Sequence, residues 1–149
     1  MSKKIIAIAS AGGHWIQLLR IAPAFENNEV VFVSTEPSFA SSVKNFDYYL
    51  IPDASRWDKI GLLKSFYSVF KMILKLKPEI IITTGAAPGL MAIIVGRIIG
   101  CKTIWIDSIA NVDKISMSGK IALRFANIVY TQWPELVKGK IVYHGNVIS

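Results

Sequence analysis

The stretch Lys4-Ile5-Ile6-Ala7-Ile8-Ala9-Ser10-Ala11-Gly12-Gly13-His14 decides how the rest of the chain is read. Its first half is a continuous apolar run, the mark of a strand covered on both faces rather than one. Two glycines then permit a tight turn, and a helical pattern follows from 14 to about 25. Strand, glycine turn and helix together open a βαβ unit. A signal peptide needs a longer apolar stretch and a cleavage site, so the run over 5–9 reads as a buried strand instead.

The same alternation continues outward. Strands are expected over 30–34, 48–51, 79–83, 102–107, 128–131 and 140–143. Between them lie a short helix over 38–46, a long one over 59–77 stopped by Pro78, and others over 88–99 and 116–126, with a short helical turn near 132–137. No repeat, linker or low-complexity tract interrupts the pattern. It implies an α/β fold in which a parallel sheet carries helices on both faces, as one domain over 1–149. Only 80–100 needs weighing as a membrane span. Thr83, Thr84, Gly85, Pro88, Gly89 and Arg97 break it, and a span needs about 20 apolar residues. It reads as strand, turn and buried helix.

Composition narrows the function classes. The chain has 17 Lys and Arg against 10 Asp and Glu, a formal charge of +7, yet 52% of it is hydrophobic and only 18% charged. Its mean hydropathy is +0.44. Disorder is excluded. A nucleic-acid binder sets its basic residues on a polar background that is missing here, so no nucleic-acid partner is expected. Apolar and basic together point to an anionic membrane surface, or to a partner that covers apolar area. The single Cys101 allows neither an internal disulfide nor a cysteine zinc site, which fits the cytosol. No metal-ligand spacing, paired-carboxylate set or Ser-His-Asp set stands out, and no cofactor is expected.

In a doubly wound sheet ligands bind beyond the carboxyl ends of the strands, so the strand-to-helix junctions carry the candidate chemistry. At the first, Gly12 and Gly13 admit close approach of a ligand, and the free N–H groups of the next helix favour an anion such as a diphosphate. A plain tight turn is the alternative. His14 can donate to a phosphate or act as a general base, or simply sit at the surface or cap the helix. The second junction, Thr83-Thr84-Gly85-Ala86-Ala87-Pro88-Gly89, places Pro88 at a first helical position. It is either a second anion-facing helix start or close helix–sheet packing. The third runs from Asp107-Ser108 through Asn111 to Ser118-Gly119-Lys120; Asp107 either orients a hydroxyl or caps the loop. His144, in the tail, reads as structural or interfacial.

The long helix over 59–77 carries a separate message. On a helical wheel Leu62, Leu63, Phe66, Val69, Phe70, Ile73, Leu74 and Leu76 fill an apolar arc wider than a docked helix needs. Lys64, Lys71 and Lys75 flank it, with Tyr67 on the border. Such lysines can snorkel to anionic headgroups while the apolar edge dips in. An ordinary core helix with a basic outer face is the alternative.

Taken in order, Ala11-Gly12-Gly13-His14 with Gln17-Leu18-Leu19-Arg20, Thr84-Gly85-Ala86-Ala87-Pro88-Gly89, Asp113-Lys114 through Ser118-Gly119-Lys120, Gln132-Trp133-Pro134-Glu135-Leu136 and Tyr143-His144-Gly145 carry a resemblance. The chain resembles bacterial capsular and exopolysaccharide glycosyltransferase accessory subunits. These are similar to the membrane-recruiting subunit of the eukaryotic two-subunit transferase that adds the second N-acetylglucosamine to the dolichol-linked precursor. The resemblance covers essentially the whole chain. It implies a Rossmann-like domain equivalent to the N-terminal, acceptor-side half of a GT-B glycosyltransferase, with the C-terminal half encoded as a separate polypeptide that holds most of the UDP-sugar site.

By that resemblance the complex transfers a sugar from a UDP-sugar to a polyprenyl-diphosphate-linked acceptor. Gly12, Gly13, His14, Thr84, Gly85, Asp107, Ser108 and Asn111 would line the acceptor diphosphate, with His14 as base or diphosphate contact. Lys64, Tyr67, Lys71 and Lys75 would face the membrane. Gln132, Trp133, Glu135, Tyr143, His144 and Gly145 would meet the partner. This chain departs from the eukaryotic relatives in the third-junction loop. Asp107-Ser108 replaces a Glu-Ser pair, and Asn111 stands where an arginine is expected, so an arginine fork for phosphate is missing there. Only Arg56 represents the arginines expected after the third strand. With no N-terminal anchor, attachment to the inner face of the plasma membrane would be peripheral. Two other function classes stay open: a nucleotide-binding α/β module or small enzyme acting alone, and a purely structural membrane adaptor.

Overall fold

The apolar run at the N-terminus becomes the central strand. In the computed structural model, which describes residues 1–148, β1 (Lys4–Ala9) has Ile6, Ala7, Ile8 and Ala9 fully enclosed. Around it β2 (Glu29–Ser34), β3 (Asp47–Leu50), β4 (Ile80–Gly85), β5 (Lys102–Ile106), β6 (Ile128–Thr131) and β7 (Ile141–Tyr143) form one sheet in the order β3-β2-β1-β4-β5-β6-β7. Every neighbouring pair is parallel. The helices are α1 (Gly13–Ile21), α2 (Lys59–Leu76), α3 (Ala86–Ile99) and α4 (Met117–Ala122).

The strand order reverses between β1 and β4. Leftward from β1, α1 and a 3-10 turn at Pro37–Val43 cover one face, where Trp15, Leu18, Phe25, Phe32 and Val43 pack together. Trp15 stacks on Phe39 at 4.9 Å and meets Phe32 edge-on at 5.9 Å. Rightward, α2, α3 and α4 cover the other face. Val69, Met72 and Ile73 of α2 and Ala92 and Val95 of α3 pack on Ile6, Ile8 and Ile81. Ile93, Trp105, Ala122 and Val129 continue that layer under α4. The parallel sheet with helices on both faces is the Rossmann-like architecture expected from the sequence.

Differences from the expected elements are local and have causes. The helix expected to reach 25 ends at Ile21, and Pro23, which lacks an N–H, sits in a 3-10 turn at Ala22–Ala24. The helix expected over 38–46 is instead a 3-10 turn at Pro37–Val43 capped by Glu36, whose carboxylate accepts from the Ser38 N–H at 3.2 Å. β4 runs on to Gly85, so α3 starts at Ala86 and Pro88 is its third residue, not its first. Proline is tolerated there because first-turn N–H groups have no intrahelical partner. At the end of α2, Lys77 takes a left-handed conformation (φ 49°) immediately before Pro78, which disfavours a right-handed helical turn at that position.

Candidate functional site

The first two junctions meet at the point where the strand order reverses, the crevice in which doubly wound sheets bind ligands. α1 rises from Gly12 (φ +84°) with no side chain capping its N-terminus; Gly12 and Gly13 are exposed. α3 also starts uncapped, after Gly85 (φ +130°). A β-bulge joins them. Ile8 pairs with Thr83 and Ala9 with Gly85, so Thr84 is left out of the β1–β4 register. Bulges re-aim the groups they free, and here both freed groups reach His14. The Thr84 carbonyl lies 3.0 Å from His14 Nδ1, and the Thr84 hydroxyl donates to the His14 carbonyl at 2.6 Å.

That pairing settles the chemistry of the imidazole. A carbonyl only accepts, so Nδ1 carries the hydrogen, and Nε2 is left as the ring's second functional nitrogen. When the ring is neutral Nε2 is a lone-pair base; when it is charged it is a donor. Gly85 supplies the room, since a Cβ there would stand 2.9 Å from the imidazole. Gly89 lies one turn into α3 and would drive a Cβ into the Thr83 hydroxyl, so its role is close helix–sheet packing.

Of the residues expected around the diphosphate, Gly12, Gly13 and His14 line the open side of this junction. Thr84 is fully buried and Gly85 is enclosed beneath the imidazole, so these two position His14 instead of facing a ligand. Asp107 departs further. It is 1% exposed, and its carboxylate accepts from Trp105 Nε1 (3.0 Å), Asn111 Nδ2 (3.0 Å), the Ser116 N–H (3.0 Å) and the Ser116 hydroxyl (2.6 Å). Ser116 in turn caps α4 by accepting from the Gly119 N–H. Asp107 is the knot of its loop, and Asn111 is tied to it. Ser108 is half-buried, its oxygen accepting from Gln17 and from the Ala110 N–H.

Gln132 is the second inward residue. Expected at a partner surface, it is 2% exposed. Its Nε2 donates to Gln17 Oε1 (2.7 Å) and to the Asp107 carbonyl (2.9 Å), and its Oε1 accepts from the Val147 N–H. Gln17 completes the clasp, donating to the Gly13 carbonyl and Ser108 and accepting from the Ile109 N–H. These two amides, 115 residues apart, tie the first turn of α1, the loop after β5 and the tail together. Gln17 was visible only as part of a motif; nothing local in the sequence shows that it faces Gln132. Trp133 is half-buried and donates to the Ile109 carbonyl at 2.8 Å, while Glu135, His144 and Gly145 are exposed and Tyr143 is half-buried. His144 lies edge-on against Tyr130 at 5.6 Å.

The apolar arc of α2 divides in two. Val69, Met72 and Ile73 pack on the sheet, whereas Ile60 (69% exposed), Leu63 (71%), Tyr67 (61%) and Leu74 (45%) form an outer stripe, with Lys64, Lys71 and Lys75 exposed beside it. Lys71 lies over the Tyr67 ring at 5.4 Å. No helix among the described residues is long and apolar enough to cross a membrane. Cys101, at the opposite end of the sheet, donates to the Pro78 carbonyl, and burial pushes its thiol up, away from nucleophilic use. Among the described residues no cluster of His, Cys, Asp and Glu suits a metal ion.

Comparison with known proteins places this geometry. Residues 57–147 match the family described as "Oligosaccharide biosynthesis protein Alg14 like". The UDP-N-acetylglucosamine transferase subunit ALG14 of Homo sapiens is 27% identical over 181 residues, covering 99% of this chain and 84% of that protein. Its namesake in Yarrowia lipolytica is 25% identical, covering 97% and 81%. Among solved structures, MurG of Acinetobacter baumannii superposes with a TM-score of 0.78 at 17% identity, covering 97% of this chain and 46% of that one. UDP-N-acetylglucosamine 2-epimerase of Rickettsia bellii gives 0.74 at 13% identity, covering 99% and 46%. The chain thus spans about half the length of these solved structures, and the likeness to them is one of fold. The family match takes in the second and third junctions, α2 and the tail, and by it the chain belongs to the Alg14-like family of oligosaccharide biosynthesis proteins.

Proposed function

We propose that this chain is the accessory, acceptor-side subunit of a two-chain inverting glycosyltransferase, inactive alone, that recruits its catalytic partner to the membrane. The observation that carries the reading is the His14–Thr84 bridge, which fixes an imidazole between two uncapped, glycine-led helix starts at the reversal of the sheet. Backbone N–H groups and helix dipoles there favour a diphosphate, and in this reading Nε2 serves the acceptor. The names of the relatives favour UDP-N-acetylglucosamine as the donor, held mainly by the partner. A polyprenyl-diphosphate-linked acceptor, and a place in capsule or exopolysaccharide assembly, rest on the sequence resemblance.

The chemistry needs a base for the acceptor hydroxyl and stabilisation of the departing UDP. In this reading His14 Nε2 takes the hydroxyl proton as that oxygen attacks the anomeric carbon and UDP leaves. The competing role, a charged imidazole donating to the diphosphate, has the opposite pH dependence. Acidification slows transfer when Nε2 is the base and favours it when the charged ring binds phosphate. The outer stripe of α2 with Lys64, Lys71 and Lys75 would rest on the anionic inner face of the plasma membrane.

The test is co-expression with a separately encoded chain resembling a C-terminal GT-B half, followed by transfer from UDP-N-acetylglucosamine to a polyprenyl-diphosphate-linked sugar. Full activity of the partner alone overturns the subunit reading. Calorimetry of this chain alone with UDP addresses the rival, a nucleotide-binding module that needs no partner: micromolar binding supports the rival, and weak or absent binding supports the subunit. Flotation with vesicles containing anionic lipid tests the membrane face, since changing Lys64, Lys71 and Lys75 to Glu abolishes it if α2 makes the contact.

A further inference from the structure

Gln17 is shared between the first turn of α1 and the loop after β5. It is 7% exposed, and its amide has a settled orientation. A backbone N–H only donates, so the 2.9 Å contact with the Ile109 N–H fixes Oε1 on that side. Nε2 is thereby turned toward the Gly13 carbonyl (3.3 Å) and Ser108 Oγ (3.2 Å). Gln132 Nε2 donates to the same Oε1 at 2.7 Å and agrees with that orientation. The polarity is then handed on. Ser108 Oγ accepts from Gln17, and it also accepts from the Ala110 N–H at 3.2 Å. A hydroxyl oxygen has two lone pairs and one hydrogen. Both lone pairs are occupied, so Ser108 has only its hydrogen to offer, and none of the hydrogen bonds among the described residues takes it.

That hydrogen lies beside the proposed anion site. One amide nitrogen touches both the Gly13 carbonyl and Ser108 Oγ, so the hydroxyl stands within two hydrogen-bond lengths of the first residue of the uncapped α1. Ser108 is only half-buried, whereas Asp107 is enclosed and Asn111 Nδ2 donates to it. A group that donates but cannot accept selects a ligand atom rich in lone pairs and without a proton, which describes a diphosphate oxygen. We infer that Gln17 is a positioning residue for the acceptor: by donating to Ser108 Oγ it commits that hydroxyl to point its hydrogen at the acceptor diphosphate beside Gly13. The inference rests on the acceptor-side reading above, and it adds a residue that never touches the substrate. Gln17→Glu exposes the device. A carboxylate at this position still accepts from Ile109 and Gln132 but has no hydrogen for Ser108, whose own hydrogen then turns inward to it. The ligand loses its donor although the serine is unchanged.

The reconstituted complex tests it, with transfer followed against the concentration of a polyprenyl-diphosphate-linked sugar. Ser108→Ala raises the acceptor KM about tenfold and leaves kcat within about twofold. Ser108→Thr, which keeps a hydroxyl, restores KM. Gln17→Glu raises KM by a similar factor, and the double variant of Gln17→Glu with Ser108→Ala is no worse than either alone, as two residues acting through one hydrogen bond require. Val69→Ala, which opens a cavity under α2 and lowers stability, leaves KM unchanged and so separates positioning from general loosening. Should Gln17→Glu fail to fold, the side-chain amide resonances of Gln17 ask the same question. Acceptor binding shifts them in the wild-type chain and does not in Ser108→Ala. Unchanged KM in Ser108→Ala, losses that add in the double variant, or Gln17 resonances that ignore the acceptor overturn the inference, while transfer by the wild-type complex keeps the acceptor-side reading standing. A wild-type complex that transfers nothing overturns both.

Discussion

After β1 the chain turns through Gly12 and Gly13, exposed and uncapped; after β5 it enters a loop in which Asp107 alone accepts from four donors. Both segments follow a buried strand and both are rich in small or polar residues. The first leaves backbone N–H groups and His14 Nε2 facing outward. The second turns its polar atoms on one another. Polarity after a strand therefore does not by itself mark a binding loop; what separates the two is whether the chain already satisfies the polar atoms.

Substitutions can break or sharpen that contrast. The largest effect is expected from His14→Ala, which removes the proposed base and lowers transfer by the reconstituted complex by about 10²–10⁴-fold. Stability, followed by denaturant unfolding, changes far less, because the half-buried ring makes one hydrogen bond. Asp107→Ala does the reverse. Each buried donor left without an acceptor costs about 1–3 kcal/mol, so urea unfolding should report a loss of about 3 kcal/mol or more. If that variant is as stable as wild type, the loop is not the knot described. Gly85→Ala touches both quantities. Its positive φ costs about 1–3 kcal/mol of strain and its Cβ displaces the imidazole, so transfer falls with stability. Gly13→Ala is the smallest in stability, within about 0.5–1 kcal/mol and with the gain favoured, since nothing lies within 4 Å of the added Cβ and its φ is not positive. It nonetheless obstructs the approach of an anion to α1, so a weaker acceptor KM with a melting temperature no lower than that of the wild type is the expected signature.

The fold was largely legible in the sequence because each strand and helix announces itself by its own pattern. The enclosed run of β1 and the helical repeat of α2 are local facts, set by which residues must leave water. Errors fell at ends, as at Pro88, where first-turn positions accept a proline anywhere that no N–H is needed. The candidate site was half legible. Gly12, Gly13 and His14 lie together in the chain and stay together at the open side of the first junction. The reach of Thr84 to His14 spans 70 residues and that of Gln132 to Gln17 spans 115, and no local pattern encodes such a meeting. The arc of α2 shows the same limit: its apolar width was readable, but not that it splits into an inner stripe on the sheet and an outer stripe in solvent.

The bulge at Thr84 has a consequence for how this protein comes to be. It joins β1, made first, to β4, whose residues follow some 75 positions later. The imidazole therefore has neither its fixed tautomer nor its place until more than half of the chain has been synthesised and has paired. Contacts of such long sequence separation are costly to close and form slowly. A nascent or truncated chain that stops short of β4 would carry the glycine turn and the histidine yet lack the site. Competence at this seam thus reports the completed pairing of the two half-sheets, and a probe of the His14 ring would register that moment of assembly directly.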